Sequence, residues 1–360
     1  MSKALEQEQL KDFHINDFQH HLVSWFKENQ RDLPWRLSKD PYRVWVSEIM
    51  LQQTRVDTVI PYYNAFMRQF PTLEALAEAE EDQILKAWEG LGYYSRVRNL
   101  QTAVREVVEH YGGVVPDNRK DISSLKGVGP YTAGAVLSIA YGKPEPAVDG
   151  NVMRVLSRVL LVEEDIAKPS TRKIFEAILY DLVSKEDPSS FNQGLMELGA
   201  LICTPTSPGC LLCPVREFCR AYDTGKQNEL PIKSKKKKQS LKHMAALIVR
   251  NEAGEVLIEK RPETGLLARL WQFPNIEISE EQSLEEQFSQ EYETSFQIGE
   301  QVQHVEHVFS HLIWNIAVYE ATVSGRPTGG QATRKWIEVT DIEKYAFPVS
   351  HQKIIQKSLL

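Results

Sequence analysis

The chain has 360 residues, with 42 Lys+Arg against 49 Asp+Glu for a formal charge of -7; it is 42% hydrophobic and carries 4 cysteines. At roughly 100 to 200 residues per domain this length implies two or three folding units, and the composition excludes collagen, coiled coil and wholesale disorder. The uncharged stretch from Gly127 to Gly142 is broken by glycines and Pro130, short of the roughly 20 apolar residues a membrane span needs. No membrane association is expected, and MSKALEQEQL lacks the apolar core of a secretory signal. The expected compartment is the cytoplasm, nucleoid-associated if the source is bacterial.

Charge is unevenly placed. Residues 1–230 sum to -6, residues 231–250 to +7 and residues 251–360 to -8. The basic joint PIKSKKKKQSLK, with Lys233, Lys235, Lys236, Lys237, Lys238 and Lys242, has no apolar periodicity and reads as an exposed linker. Before it, HLVSWFKENQ, VWVSEIMLQQTRVDTVI, LEALAEAEEDQILKAWEG, RVRNLQTAVREVVEHYG, YTAGAVLSIAYG and NVMRVLSRVLL show apolar spacings of three and four, so this part reads as helical. After it, MAALIVRNEAGEVLIEKR reads as two strands around an Asn-Glu-Ala-Gly turn. SEEQSLEEQFSQEYETS then reads as an acidic helix, and HVFSHLIWNIAVYEATV as further strand.

Four places carry chemistry. Glu48 lies in a helix between Val44 and Trp45 on one side and Ile49, Met50 and Leu51 on the other. It is either a glutamate on a wet face or a desolvated acid with a raised pKa. LKGVGPYTAGAV places Gly127 and Gly129 in a tight turn, with Lys126 and Val128, ahead of a helix beginning near Tyr131; backbone N–H groups at such a start hold a phosphate. Asp149 in AVDGN is either the N-cap of the next helix or a functional carboxylate. Cys203, Cys210, Cys213 and Cys219 form C-x6-C-x2-C-x5-C. In a reducing compartment such packing points to a metal or cluster, and both zinc and an iron–sulfur cluster accept four thiolates.

These features resemble one superfamily. The cysteine spacing is similar to the [4Fe-4S] loop of the endonuclease III and MutY glycosylases, the hairpin followed by AVDGN resembles the helix-hairpin-helix-GPD superfamily, and WVSEIMLQQT resembles the MutY adenine-pocket helix. The resemblance implies a multidomain chain: an all-α helix-hairpin-helix glycosylase domain with an iron–sulfur loop over residues 1–225, a basic linker over 226–242, and an α+β Nudix-like lesion-recognition domain over 243–360. Within the first domain the hairpin part spans about 30–140, and the cluster-bearing part joins the N-terminus to about 141–225. The implied cofactor is a [4Fe-4S] cluster on the four cysteines, fixing a loop whose Arg216 and Arg220 face a DNA backbone.

The implied reaction is acid-assisted hydrolysis of an N-glycosidic bond to a flipped adenine. Glu48 is then the proton donor and Asp149 the anion beside the oxocarbenium-like sugar, with Tyr131 and Asn151 orienting them. Arg31, Trp35 and Leu51 line the base pocket, and Gln193 addresses the base edge, where family members carry Gln or Glu. Gln53 and Tyr93 wedge into the stack, and Thr54 and Leu91 touch the opposite base. Phe309, Ser310 and His311 match the Phe-Ser-His element that reads 8-oxoguanine.

Endonuclease III-type lyases carry a lysine just after the hairpin, and this chain has Tyr131 nearby instead. A phenol cannot form an imine, so a monofunctional glycosylase is expected. GLLARLWQFPNIEISEEQSLEEQFSQEYETS lacks the R-E-x2-E-E set of Nudix hydrolases. The expected partner is double-stranded DNA with an 8-oxoguanine:A or G:A mispair, bound by a monomer. The alternatives are an endonuclease III-like glycosylase/lyase and a non-catalytic lesion-binding protein.

Overall fold

The computed structural model describes residues 9–234, 238–324 and 333–359. Lys235, Lys236 and Lys237 of the basic joint lie outside the described residues. Two compact units emerge, one from residues 9–77 and 99–234, the other from residues 78–98 and 238–359.

Helices follow one another as α1 (Ile15–Asn29), α2 (Pro41–Leu51), α3 (Val56–Gln69), α4 (Leu73–Glu78), α5 (Glu81–Ala87), α6 (Ser95–His110), α7 (Arg119–Ser124), α8 (Pro130–Ile139), α9 (Gly150–Val159), α10 (Pro169–Leu182), α11 (Pro188–Leu201) and α12 (Arg220–Asp223). The described residues of the first unit contain no strand. LEALAEAEEDQ, which reads as one helix, is split: Glu80 accepts from the backbone of Gln83, whose side chain returns the bond, and this capping box starts α5 afresh.

Packing follows from the apolar spacing. Helix α1 buries Phe18, Leu22 and Phe26, one per turn, and packs against α11. Each such side chain contributes about 1.5–3 kcal/mol. Helix α2 starts at Asp40, whose side chain accepts from the Arg43 N–H at 2.9 Å, and buries Tyr42 and every residue from Val44 to Met50. Glu48 therefore has no wet face. A Cβ at Gly134 of α8 would lie 1.8 Å from the Pro146 carbonyl oxygen. Only glycine lets α8 lie that close to the extended run leading to Asp149.

The second unit is a mixed sheet between helices. Its elements are β1 (Ser240–Arg250), β2 (Val256–Lys260), β3 (Trp271–Gln272), β4 (Asn275–Glu277), α13 (Leu284–Tyr292), β5 (Ser295–Val308), β6 (Leu312–Ser324), β7 (Arg334–Ile337) and α14 (Val349–Ser358). The order is β3-β2-β1-β6-β5, with β4 on β1 and β7 on β2. Strand β1 runs parallel to β6, from Ser240 opposite Leu312 to Arg250 opposite Thr322, and the other pairs are antiparallel. Met244, Ala246 and Ile248 pack with Phe347 and Ile354 on one face; Ala245, Leu247 and Val249 pack with Phe288 and Tyr292 on the other. Burial on both faces is why β1 reads as an unbroken apolar run.

Residues 78–98 join this unit through specific bonds. The Glu89 carboxylate accepts from the Phe347 N–H at 2.7 Å, Lys86 donates to the Tyr345 carbonyl at 3.1 Å, and Lys260 pairs with Asp82.

Candidate active site

The burial of α2 sets the state of Glu48. Desolvation pushes its carboxyl from 4.5 up to about 7, helped by the negative charge of Asp149 and opposed by Tyr131 and Arg36. The Tyr131 hydroxyl donates to Glu48 Oε2. Tyr131 keeps its own proton, because burial and then the charge of Glu48 hold its pKa well above the usual phenol value.

Asp149 opens α9. Its Oδ1 accepts from the Val152 N–H at 2.7 Å and its Oδ2 from Asn151 Nδ2 at 3.0 Å. Burial raises its pKa, against the pull of those bonds and of Arg154. The cap and the cavity-facing carboxylate are thus the same group. Behind it, Arg154 donates to Asn151 Oδ1, to the Gly199 carbonyl and to the Cys203 carbonyl, each at 2.8 Å.

One cavity of about 160 Å³ brings together Arg31, Trp35, Glu48, Leu51, Thr54, Tyr131, Asp149, Asn151 and Gln193. Its walls also include Arg36, Met196 and Glu197, which the sequence reading does not single out. The missed signal was spacing: Glu197 lies four residues after Gln193, on the same face of α11. Arg31 is already engaged, its Nε and Nη2 donating to Glu197 at 2.9 and 2.8 Å. Gln193 is fixed at both ends of its amide, accepting from Arg36 Nε at 3.1 Å and donating to Ser189 Oγ at 3.2 Å.

The hairpin lies between α7 and α8. Gly127 has φ +74, and a Cβ there would lie 2.7 Å from Asn99 Cβ, whereas Gly129 faces open space. The Lys126 N–H is bonded to Glu106 at 3.2 Å and the Val128 N–H to the Leu125 carbonyl at 3.1 Å.

The remaining expected contacts fall elsewhere. Gln53 does not line the cavity and holds a left-handed φ of 60. In the second unit Leu91 is buried, while Tyr93 is 45% exposed with φ 47. Gln53 and Tyr93, both expected to contact DNA, thus share left-handed backbone, a form of local strain found at functional sites. Arg96 braces the turn that carries Leu91 and Tyr93, stacking on the Trp88 and Tyr93 rings and donating to the Gly92 carbonyl at 3.1 Å. Tyr93 shares a cavity of about 580 Å³ with Leu266, Leu267, Phe309, Ser310 and His311. Phe309 is held edge-on to Trp314, and Ser310 Oγ lies 3.4 Å from His311 Nδ1.

The four cysteines are unpaired and line one apolar cavity between α9, α11 and the loop after it. Burial pushes the Cys213 thiol up to about 12 and the Cys219 thiol up to about 11. Arg158 donates to Cys203 Sγ at 3.2 Å and to the Thr204 carbonyl at 2.8 Å. Among the described residues no group of three or more His, Cys, Asp or Glu is arranged to hold a metal ion. Arg216 stacks on Tyr222, and Arg220 donates to the Lys11 carbonyl at 3.0 Å.

A helical body with a glycine hairpin, and with buried Glu48 and half-buried Asp149 lining one cavity, is that of a base-excision glycosylase. Residues 46–180 match the family described as HhH-GPD superfamily base excision DNA repair protein, and residues 245–357 match the NUDIX domain. The adenine DNA glycosylases of Rattus norvegicus and Homo sapiens are each 33% identical over 95% of this chain, covering 78% and 74% of their own lengths. That of Buchnera aphidicola (Acyrthosiphon pisum) is 33% identical over 82% of this chain and 83% of its own. A thermostable thymine-DNA glycosylase structure matches with TM-score 0.53 and 31% identity, covering 58% of this chain and 97% of that one. A trapped endonuclease III–DNA complex at 23% identity, TM-score 0.50, covers 57% and 94% and shares the fold. The chain belongs to the adenine DNA glycosylase family.

Proposed function

We propose that this chain flips an adenine paired with 8-oxoguanine, or with guanine, out of duplex DNA and hydrolyses its N-glycosidic bond without cutting the strand. The observation that carries this is the pairing of Glu48, whose carboxyl titrates near 7, with Asp149 across a single cavity. Adenine leaves poorly until a ring nitrogen such as N7 is protonated. Tyr131 occupies Glu48 Oε2, so Oε1 is the oxygen that carries the proton to the base. Loss of the base leaves oxocarbenium charge on the sugar, and Asp149, held as an anion by two N–H donors, stabilises it while water attacks. This is the division of labour of two carboxylates in differing environments. The stacked base is inaccessible, so flipping precedes chemistry.

Tyr131, which bonds Glu48, offers no amine for a Schiff base, which supports hydrolysis over lyase chemistry. Opposite the flipped base, Ser310 supplies a hydroxyl that both donates and accepts, suiting the N7–H and O8 edge of 8-oxoguanine. Tyr93 lines the same cavity and suits the wedge.

Cys203, Cys210, Cys213 and Cys219 line one cavity, a four-thiolate set that suits zinc or an iron–sulfur cluster, and the family resemblance favours the cluster. Cys203, Cys210, Cys213 and Cys219 would hold a [4Fe-4S] cluster, whose contribution is a rigid tie across the loop. Arg154 connects that loop to Asn151 and so to Asp149.

The test is single-turnover adenine release from an 8-oxoguanine:A duplex, run beside borohydride trapping. Release without trapping is expected. A trapped adduct would favour a lyase, and binding without release a lesion-binding protein.

A further inference from the structure

The adenine-facing cavity carries a buried ion triad that the chemistry above leaves unused. Glu197 on α11 has a side chain only 2% exposed. It accepts from Arg31 N at 3.0, Nε at 2.9 and Nη2 at 2.8 Å, and from Arg36 Nη1 at 3.2 and Nη2 at 3.0 Å. Burial alone would raise its pKa, but the bonds from Arg31 and Arg36 hold it down at about 2. It is charged at any working pH. Packing alone gives little reason for this arrangement, because burying charges costs several kcal/mol per ion and apolar residues hold helices together as well or better.

The consequence lies on the same cavity wall. Glu48 faces Tyr131 from α8, Asp149 at the start of α9 with Arg154 behind it, and Arg36 from the Pro34–Arg36 turn. Arg31 and Glu197 complete the lining, and Arg172 of α10 bears on Tyr131. Arg36 already opposes protonation of Glu48. Without a carboxylate between them, both guanidiniums would do so at full strength, in a medium where charges are poorly screened.

We propose that Glu197 is a positioning residue that acts through Glu48: it neutralises Arg31 and Arg36, so that both can line the base cavity while the acid beside them keeps its proton. The proposal rests on the reading of Glu48 as proton donor.

The experiment is single-turnover adenine release from pH 5 to 9 for the wild type, Glu197→Gln and Gln193→Glu. The wild-type rate is expected to fall above about pH 7. In Glu197→Gln the falling limb should move down by about half a pH unit or more, so that the ratio of the pH 8 rate to the pH 5 rate drops about threefold or more below the wild-type ratio. Gln193→Glu places a second carboxylate on Arg36 and should move the limb upward. A Glu197→Gln protein slower by one factor at every pH would reduce Glu197 to packing and overturn the proposal. Should that variant not fold, an unmoved limb in Gln193→Glu overturns it instead. A wild type with no falling limb fails at the earlier step, by removing Glu48 as the acid, and the proposal falls with it.

Discussion

Replacing Glu48 with glutamine should abolish base release and at the same time stabilise the protein, by an amount that depends on pH. Burial, and then the charge of Asp149, raise the Glu48 carboxyl from 4.5 to about 7. A folded pKa above the unfolded one means that the folded state binds the proton more tightly. The stabilising contribution is therefore complete below pH 4.5 and is lost as pH rises to about 7. Above that range the ionised carboxylate weakens the fold by about 3 kcal/mol, from about 1.4 kcal/mol for each pH unit between the two values. Glutamine fills the same space and never ionises, so the variant should unfold at higher urea than the wild type. The gain should be about 3 kcal/mol at pH 8 and about 1 kcal/mol or less at pH 5. Single-turnover release should meanwhile fall by about 10²- to 10⁴-fold, the usual worth of a general acid. Equal gains at the two pH values would refute the buried-acid argument, and turnover within tenfold of wild type would refute the catalytic one.

Asp149→Asn should leave α9 capped, since asparagine caps as well as aspartate, and stability within a few tenths of a kcal/mol, while adenine release disappears; Asp149→Ala should add a loss of about 1 kcal/mol in a urea melt. Gly134→Ala drives a Cβ to within 1.8 Å of the Pro146 carbonyl oxygen, so a loss of about 3 kcal/mol or more is expected, and an unchanged melting temperature would contradict the close approach. Cys213→Ser should lower the iron and sulfide content of the purified protein, and unchanged content would exclude Cys213 as a ligand. Ser310→Ala should reduce the preference for adenine opposite 8-oxoguanine over adenine opposite guanine, and an unaltered ratio would remove Ser310 from lesion reading.

Local signals in the sequence located the helical first unit and the β1–β2 pair, but not the breaks at 52–55 and 79–80 that divide VWVSEIMLQQTRVDTVI and LEALAEAEEDQ into two helices each. The spacing of Phe18, Leu22 and Phe26 defines α1, and the Asn251–Gly254 turn joins β1 to β2, the two apolar runs either side of it. Ser283 and Glu286 start α13 by a capping box. The resemblance to a known family placed Glu48, Tyr131, Asp149 and Gln193 at one site, and the geometry brings them into one cavity. What escaped were facts about partners. Nothing near Arg31 indicates that its guanidinium is consumed by a carboxylate 166 positions later, and Arg36 carries no motif. Likewise, the packing of residues 78–98 with the C-terminal sheet depends on Glu89 and Lys86 meeting backbone atoms of Phe347 and Tyr345. Periodicity within a helix cannot reveal such bonds.

The two readings open for Asp149 in the sequence, helix cap or functional carboxylate, are compatible in the structure, where the capping group also lines the cavity. A carboxylate buried beside Glu48 would by desolvation alone favour its neutral form, and a neutral Asp149 could not stabilise a cation. What opposes this is the cap itself: the Val152 N–H, the Asn151 amide and, behind them, Arg154 all favour the charged state. Glu48 sits mid-helix, where the backbone N–H groups are already spent within α2, and its hydrogen-bond donor in the structure is the Tyr131 hydroxyl. On the proposed assignment the acid lies within a helix and the anion at the start of one, where free N–H groups and the helix dipole favour negative charge. Position along a helix does much of the work of separating two carboxylates of nearly equal intrinsic acidity.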